Sequence, residues 1–193
     1  MITWATSRVE ITPLESQHLQ TLYEWETDPA VHETWRLRGA TPEFGAWMND
    51  LWHAMADQRV IVRRDTGEMI GLCQLYNLDL RLQHGWFSIL SGPDVRGTGV
   101  AFEGCGLFLE RCFTGWPLQR IYFLTIEDNF AAFSSLTRRA TYSVYGRLRE
   151  RVLVGDVWRD VIVGGIDRAD WVAGHGAIMR RAIGRADRNK VHD

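Results

Sequence analysis

The stretch Ser88–Arg111 reads S-I-L-S-G-P-D-V-R-G-T-G-V-A-F-E-G-C-G-L-F-L-E-R, and its three parts decide the fold. The run His84–Leu90 is aromatic and apolar, with no Gly or Pro between Trp86 and Leu90, and predicts a strand. Ser91-Gly92-Pro93-Asp94 breaks it. Arg96-Gly97-Thr98-Gly99 then opens a run in which Ala101, Cys105, Phe108, Leu109 and Cys112 recur at threes and fours, the spacing of a helix. A glycine loop at a helix N-terminus presents free backbone N–H groups and the positive end of the helix dipole, an anion site suited to phosphate. Arg96 adds a guanidinium beside it. The loop is not a P-loop, since no G-K-[ST] follows, and not a dinucleotide fingerprint, since the third glycine falls wrong and no early βαβ unit precedes it.

The rest of the composition bounds the class. A chain of 193 residues at 46% hydrophobic is one domain, long enough for a sizeable core. A net charge of −2 gives no reason to expect nucleic acid as a partner. No apolar run approaches the ~20 residues of a membrane span, and M-I-T-W-A-T-S-R-V-E-I-T is neither a signal nor a transit peptide. The expected setting is the cytoplasm, with no membrane partner. Cys73, Cys105 and Cys112 have no metal-ligand spacing, so no metal is expected. Cys105 and Cys112 stand seven apart on one helix face and read as packing, and the expected compartment is reducing.

In chain order, Arg8–Leu14 alternates as a first strand, and Leu19, Leu22, Tyr23 and Trp25 form the stripe of a first helix. Thr41-Pro42-Glu43 opens a second helix, with Phe44, Trp47, Met48, Leu51, Trp52 and Met55 expected to face inward. Arg59–Arg64 and Met69–Leu78 are strands joined by the turn Asp65-Thr66-Gly67-Glu68. Arg120–Ile126 is a further strand, and Asp128-Asn129 begins a helix running to about Arg139. Tyr142–Val154 and Val157–Asp167 are two β-rich runs joined at Gly155-Asp156. After Trp171 the pattern loosens and turns basic, with Arg180, Arg181, Arg185, Arg188 and Lys190. We expect one domain over residues 1–171 and a basic C-terminal extension over 172–193, part helical or disordered.

Pro93-Asp94-Val95-Arg96-Gly97-Thr98-Gly99-Val100-Ala101-Phe102-Glu103-Gly104 resembles the pyrophosphate loop of the GNAT acyltransferases, whose pattern is [QR]-x-x-G-x-[GA]. It is closest to the form P-E-x-x-G-K-G-x-A-x-E-A of the subgroup that acetylates ribosomal-protein N-termini or polyamines. Asp94 stands where the family usually has Gln or Arg. L-Y-E-W-E-T-D-P-A-V-H, Y-N-L-D-L-R-L-Q-H-G-W-F-S-I and G-R-L-R-E-R-V-L-V-G-D-V-W-R-D-V resemble further stretches of that subgroup, so the likeness runs from Arg8 to about Trp171. It implies an α/β (α+β) GNAT acyltransferase domain. The expected fold is a mixed, mostly antiparallel sheet of about seven strands, with helices on both faces and the fourth and fifth strands parallel and splayed.

The resemblance also implies a donor site for acetyl-CoA as co-substrate. Ile89, Leu90 and Ser91 would bond the pantetheine arm along the strand edge, and a backbone N–H near Ile89 or Leu90 would polarise the thioester carbonyl. Arg96, Gly97, Thr98, Gly99, Val100 and Ala101 would hold the pyrophosphate. Asn129 matches the family's pantetheine-binding asparagine, or is a plain helix cap. Phe133 and Phe130 pack on the arm or fill the core. The usual acid, a tyrosine seven residues after that asparagine, is replaced by Leu136. Ser134, Ser135, Tyr142 and Tyr145 are the substitutes considered. The family's fourth-strand glutamate falls at Gly85 and Trp86, beside His84, which titrates in the right range. His32, Glu33 and Asp79 are other candidate bases.

The function implied is transfer of an acetyl group to a primary amine, on a small molecule or a peptide or protein N-terminus, by direct attack on the thioester. Glu24, Glu26, Asp28 and Glu33 near the entrance would favour a cationic amine. Trp25, Trp35, Trp47 and Trp52 either line an apolar acceptor pocket or pack the core. The loss of both usual proton-transfer positions motivates a second reading, a sensor or partner subunit that binds acyl-CoA without turnover. A third is an acyltransferase using another donor. The chain is expected to act as a monomer or homodimer.

Overall fold

Met69–Asp79 is buried along most of its length, on both faces of the strand, and the sheet is laid out around it. The computed structural model describes residues 4–130 and 142–190, with side chains to residue 186. In chain order the elements are β1 (Val9–Pro13), α1 (Leu19–Thr27), α2 (Phe44–Asp50), β2 (Met55–Arg63), β3 (Met69–Asp79), β4 (His84–Ser91), α3 (Val100–Gly115), β5 (Arg120–Ile126), β6 (Ser143–Val154), β7 (Val157–Asp167), α4 (Arg168–Ala173) and α5 (His175–Lys190). Residues 127–130 are helical, so the helix expected from Asp128-Asn129 is present but Asn129 lies within its first turn rather than capping it; Phe133, Ser134, Ser135 and Leu136 lie outside the described residues.

The seven strands form one sheet in the order β1-β2-β3-β4-β5-β7-β6. Every neighbouring pair is antiparallel except β4 and β5, which run parallel and are joined through α3. A parallel pair needs a crossover on one face, and α3 supplies it. Strand alternation sends side chains to two cores. On one face Leu22, Trp47, Leu51, Val60, Leu72 and Leu90 pack under α1 and α2. On the other, Ile61, Phe87, Phe108 and Ile121 pack with α3. Gly104 brings α3 close to the sheet: a Cβ there would lie 2.4 Å from Ile61 Cγ2. The seven-strand mixed sheet and the single parallel pair match the expected fold.

Two buried carboxylates pin the outlying segments, each gripping one arginine and one indole. Glu26 accepts from Arg36 Nε at 2.7 Å and Trp47 Nε1 at 2.8 Å, tying the segment after α1 to α2. Glu110 of α3 accepts from Trp171 Nε1 at 2.7 Å and Arg180 Nη1 at 3.0 Å, tying α4 and α5 to α3. A carboxylate this deep is tolerated only when paired and hydrogen-bonded. No packing boundary therefore falls at residue 171. Trp171, Met179 and Ile183 share the core of Phe108 and Phe113, and a Cβ on Gly106 would lie 2.7 Å from Met179 Sδ. The basic residues of the tail obscured an apolar stripe, and Arg180 is spent on Glu110.

The inward stripe predicted for the second helix is only half realised. Trp47 and Leu51 are buried, but Met48 is 42% exposed and Trp52 is 52% exposed. The helix ends at Asp50 after two turns, too soon for a stripe through Met55. Met55 instead begins β2, which starts four residues before the expected Arg59.

Candidate active site

The site begins where the sheet divides. β4 and β5 pair from His84↔Arg120 to Phe87↔Phe123 and no further. Beyond that point β4 keeps to β3 as far as Gly71↔Ser91. β5 keeps to β7 as far as Ile126↔Val161. The two strands diverge into a fork whose β4 edge is Ser88–Ser91.

The backbone polarity of that edge follows from one hydrogen bond. Gly92 N–H donates to Ile70 O on β3 at 2.9 Å. Backbone groups alternate along a strand, so Leu90 and Ser88 also turn theirs to β3, and Ile89 and Ser91 turn theirs to the fork. Leu90 O agrees: it lies 3.0 Å from the place of a Cβ on Gly71. The Leu90 side chain is buried under α1 and α2. Of the two residues considered as carbonyl polarisers, Leu90 thus has its backbone taken by β3, and Ile89 is the one that faces the fork.

The loop after β4 has the form an anion needs. Gly97 and Gly99 have φ of +77° and +80°, a left-handed geometry that costs glycine nothing. Gly99 is the N-cap of α3, so the first N–H groups of the helix open toward the loop; that of Val100 donates to Thr98 Oγ1 at a long 3.4 Å. Thr98 Oγ1 donates to Val95 O at 2.8 Å and fixes the turn. Glu103, one turn in, is held by Arg8. Arg96 donates to Asp28 at 3.2 Å, which ties the loop to the end of α1. Asp28 also caps Ala30 N–H at 2.9 Å. That backbone bond first, and then Arg96, holds its carboxyl below the usual range.

On the α1–α2 face, below the fork, stands a cluster of rings. Trp86 and His84 pack on Tyr122 at centroid distances of 5.2 and 5.4 Å, and Tyr145 packs on Tyr122 at 5.9 Å. His84 is three residues back from the last β4–β5 pair, about 10 Å from the fork by strand rise, and its Nδ1 is buried with no partner. Tyr145 donates to Asp167 Oδ2 at 3.3 Å, and Arg120 bonds the same carboxylate at 2.6 Å. Burial first, then Asp167, pushes the Tyr145 phenol above its ordinary value. Tyr142 lies on the opposite face, its ring 6.0 Å from Phe123 and 5.7 Å from Phe130. The two tyrosines considered as acids are therefore separated by the sheet, and Tyr142 is the one beside the last paired residue of β5. Asn129 is exposed just after β5. Burial pushes the three cysteine thiols up, Cys105 to about 12, which fits packing rather than chemistry.

The acidic entrance is less acidic than its composition. Glu26 is fully buried on Arg36 and Trp47. Asp28 is engaged by Arg96. Glu33 accepts from Gly155 N–H at 2.5 Å, which joins the segment after α1 to the tip of the β6–β7 hairpin. Glu24 accepts from Gln20 at 2.8 Å. A cavity of about 230 Å³ between the end of β5 and the hairpin adds Glu127, Asp128 and Asp160, which were not among the expected entrance carboxylates. They are paired too: Arg147 bonds Glu127 at 2.6 Å and Asp160 at 2.5 Å, and Arg159 bonds Asp128 at 3.2 Å.

A seven-strand mixed sheet whose one parallel pair splays beside a glycine-capped helix is the architecture of an acyltransferase fold. The acetyltransferase (GNAT) domain family matches residues 8–138, and the chain belongs to that family. It is an N-acetyltransferase with acetyl-CoA as its co-substrate. The chain is 25% identical over 171 residues to the spermidine N(1)-acetyltransferase of Escherichia coli K12, covering 86% of this chain and 90% of that one. Its fold matches the crystal structure of a spermidine N-acetyltransferase from Vibrio cholerae in complex with CoA and spermine, with a TM-score of 0.75 at 19% identity, over 86% of this chain and 99% of that one. A chimera of that enzyme matches with a TM-score of 0.73 at 20% identity, at the same coverage. Among the described residues no helix is long and apolar enough to cross a membrane.

Proposed function

We propose that the fork between β4 and β5 takes the acyl-carrying arm of acetyl-CoA and that a small-molecule primary amine enters from the α1–α2 face. The observation that carries this is the unpaired β4 edge, with Ile89 and Ser91 facing the fork, continuous with the glycine loop at the start of α3. Ser91 and Ile89 offer strand-like hydrogen bonds to an extended amide chain. The N–H groups of Gly97, Gly99 and the first turn of α3 donate to the pyrophosphate oxygens. Asn129, exposed just after β5, bonds the arm. Ile89 N–H is placed to hold the carbonyl oxygen as negative charge builds on it. The amine nitrogen forms the new bond to the carbonyl carbon, the thioester C–S bond breaks, and the amine gives up one proton. Tyr142, beside Phe123 on the α3 face, is the tyrosine placed to supply a proton to the departing sulfur.

Spermidine is the first acceptor to test, because the chain is similar to the spermidine N(1)-acetyltransferases of Escherichia coli. One observation favours a second reading. The entrance carboxylates already hold arginines or backbone N–H groups, so a polycation has to displace them. A monoamine with an apolar body displaces none of them and rests on Trp86, Tyr122 and the 44% exposed Leu124. Thiol release from acetyl-CoA is measured with spermidine and with an arylalkyl monoamine, at low and high salt. A higher kcat/KM for spermidine that falls with salt supports the polyamine reading. A salt-insensitive preference for the monoamine supports the second. No thiol release with any amine, while CoA still binds, overturns both and returns the binding-only reading.

A further inference from the structure

A buried chain of hydrogen bonds crosses the sheet beneath α2 and ends at the fork. Leu51 O accepts from Gln58 Nε2 at 3.0 Å. Gln58 Oε1 accepts from Gln74 Nε2 at 2.7 Å. Gln74 Oε1 accepts from the Ser88 hydroxyl at 3.1 Å. Gln58 and Gln74 are 1% and 2% exposed. Their neighbours on that face are the apolar residues Leu51, Val60, Leu72 and Leu90.

The orientation of the chain is set from one end. A backbone carbonyl only accepts, so Gln58 must turn its amide NH₂ toward Leu51 and its oxygen toward Gln74. Gln74 must do the same toward Ser88. The single proton of Ser88 is thereby committed inward, and its remaining capacity is lone pairs. Donating that proton into a polarised chain strengthens the oxygen as an acceptor.

The position of Ser88 gives this polarity a use. It is the first residue of β4 beyond the last β4–β5 pair, Phe87↔Phe123. It is half-buried and shares a face with Trp86 and Leu90. We propose that Ser88 is the acceptor-only hydrogen-bond station that receives an N–H of the incoming amine; this rests on the acetyl-transfer reading above. An attacking amine must keep its lone pair for the carbonyl carbon while its N–H bonds point elsewhere. One N–H held by Ser88 fixes that orientation. A serine hydroxyl does not take the proton from the amine, so Ser88 orients the nucleophile and solvent receives the proton. Burying two primary amides under an apolar layer is unfavourable without hydrogen bonds. Here three bonds link them in series, and the chain ends on the one of its members that borders the fork.

The test uses steady-state thiol release with an amine that the wild type acetylates. Ser88→Ala is expected to lower kcat/KM for the amine about tenfold, the loss of one hydrogen bond. KM for acetyl-CoA and the calorimetric affinity for CoA stay at wild-type values. Ser88→Thr keeps the hydroxyl and restores most of the loss. Gln74→Met, with Ser88 in place, frees the hydroxyl proton and gives a smaller loss confined to the amine. Wild-type kinetics in Ser88→Ala overturn the assignment alone. So does a loss shared equally by both substrates with a lowered Tm, which marks a structural role. A wild type that acetylates no amine overturns the functional reading, and this assignment with it.

Discussion

The two sides of the fork are built from different materials. The proposed donor side is backbone: the Ile89 and Ser91 edge of β4, two glycines at positive φ, and the first N–H groups of α3. The proposed acceptor side is side chains held by other side chains: Ser88 on Gln74, and Arg147 between Glu127 and Asp160. A backbone site depends on φ and on which strand edge is left open, so it is broken by a change in backbone freedom. A side-chain site depends on which charge has found which partner, and it is retuned by removing a partner.

The comparison is broken most severely at Gly99. Its φ of +80° disfavours any side chain, and a bulky one also fills the approach to the helix N-terminus. Gly99→Trp is expected to weaken CoA binding by at least about 100-fold, about 2.7 kcal/mol, in calorimetry on a protein whose circular dichroism is unchanged. Wild-type affinity there removes the anion site from this loop.

The strand edge gives the next effect. Ile89→Pro deletes an N–H that the β3 ladder does not use, so the protein is expected to fold. Its kcat is expected to fall by roughly 10²–10³, the usual loss for one oxyanion donor. Leu90→Pro deletes an N–H that pairs with β3 and is expected to fail to fold. If Ile89→Pro keeps its rate, the carbonyl is polarised elsewhere.

The tyrosines sharpen the division between faces. Tyr142→Phe is expected to lower kcat about 10²-fold if that phenol serves the leaving sulfur. Tyr145→Phe is expected to stay within about threefold of wild type, since its hydroxyl is bound to Asp167 at the Arg120 end, away from the fork. The raised phenol of Tyr145 has a sign that can be checked. A raised value keeps the group protonated to higher pH, so its ionisation contributes no falling limb to the rate profile below about pH 10. A falling limb at or below that pH that disappears in Tyr145→Phe would falsify the assignment.

The smallest effect is on the acceptor side. Arg147→Ala leaves Glu127 and Asp160 without their guanidinium. Both are partly exposed, so the gain is modest. KM for spermidine is expected to fall two- to fourfold at low salt, the difference vanishing at high salt, and KM for an arylalkyl monoamine to stay unchanged. An equal effect on both amines places Arg147 outside the acceptor path.

What the sequence determined by itself was the strand, glycine loop and helix of the proposed donor half. Gly97 and Gly99 after an apolar strand and before a helical stripe imply a phosphate-cradling turn, because only glycine takes that φ cheaply and only a helix start leaves N–H groups free. The strands Met69–Leu78, Arg120–Ile126 and Val157–Asp167 were likewise legible, since their apolar and β-branched runs are bounded by turn residues. Tertiary structure decided the rest. Which of Ile89 and Leu90 faces the fork depends on the register with β3, a contact between residues about 20 positions apart. Whether Glu26 and Glu33 are free charges depends on Arg36, Trp47 and a glycine 122 positions away. The basic tail looked solvated because Glu110, the partner of Arg180, is 70 positions upstream. Ser88 carried no sequence signal at all: two glutamines on separate strands give its hydroxyl a direction. Backbone freedom is a property of the residue itself, whereas the charge and polarity of a side chain are settled by partners that only the folded chain brings within reach.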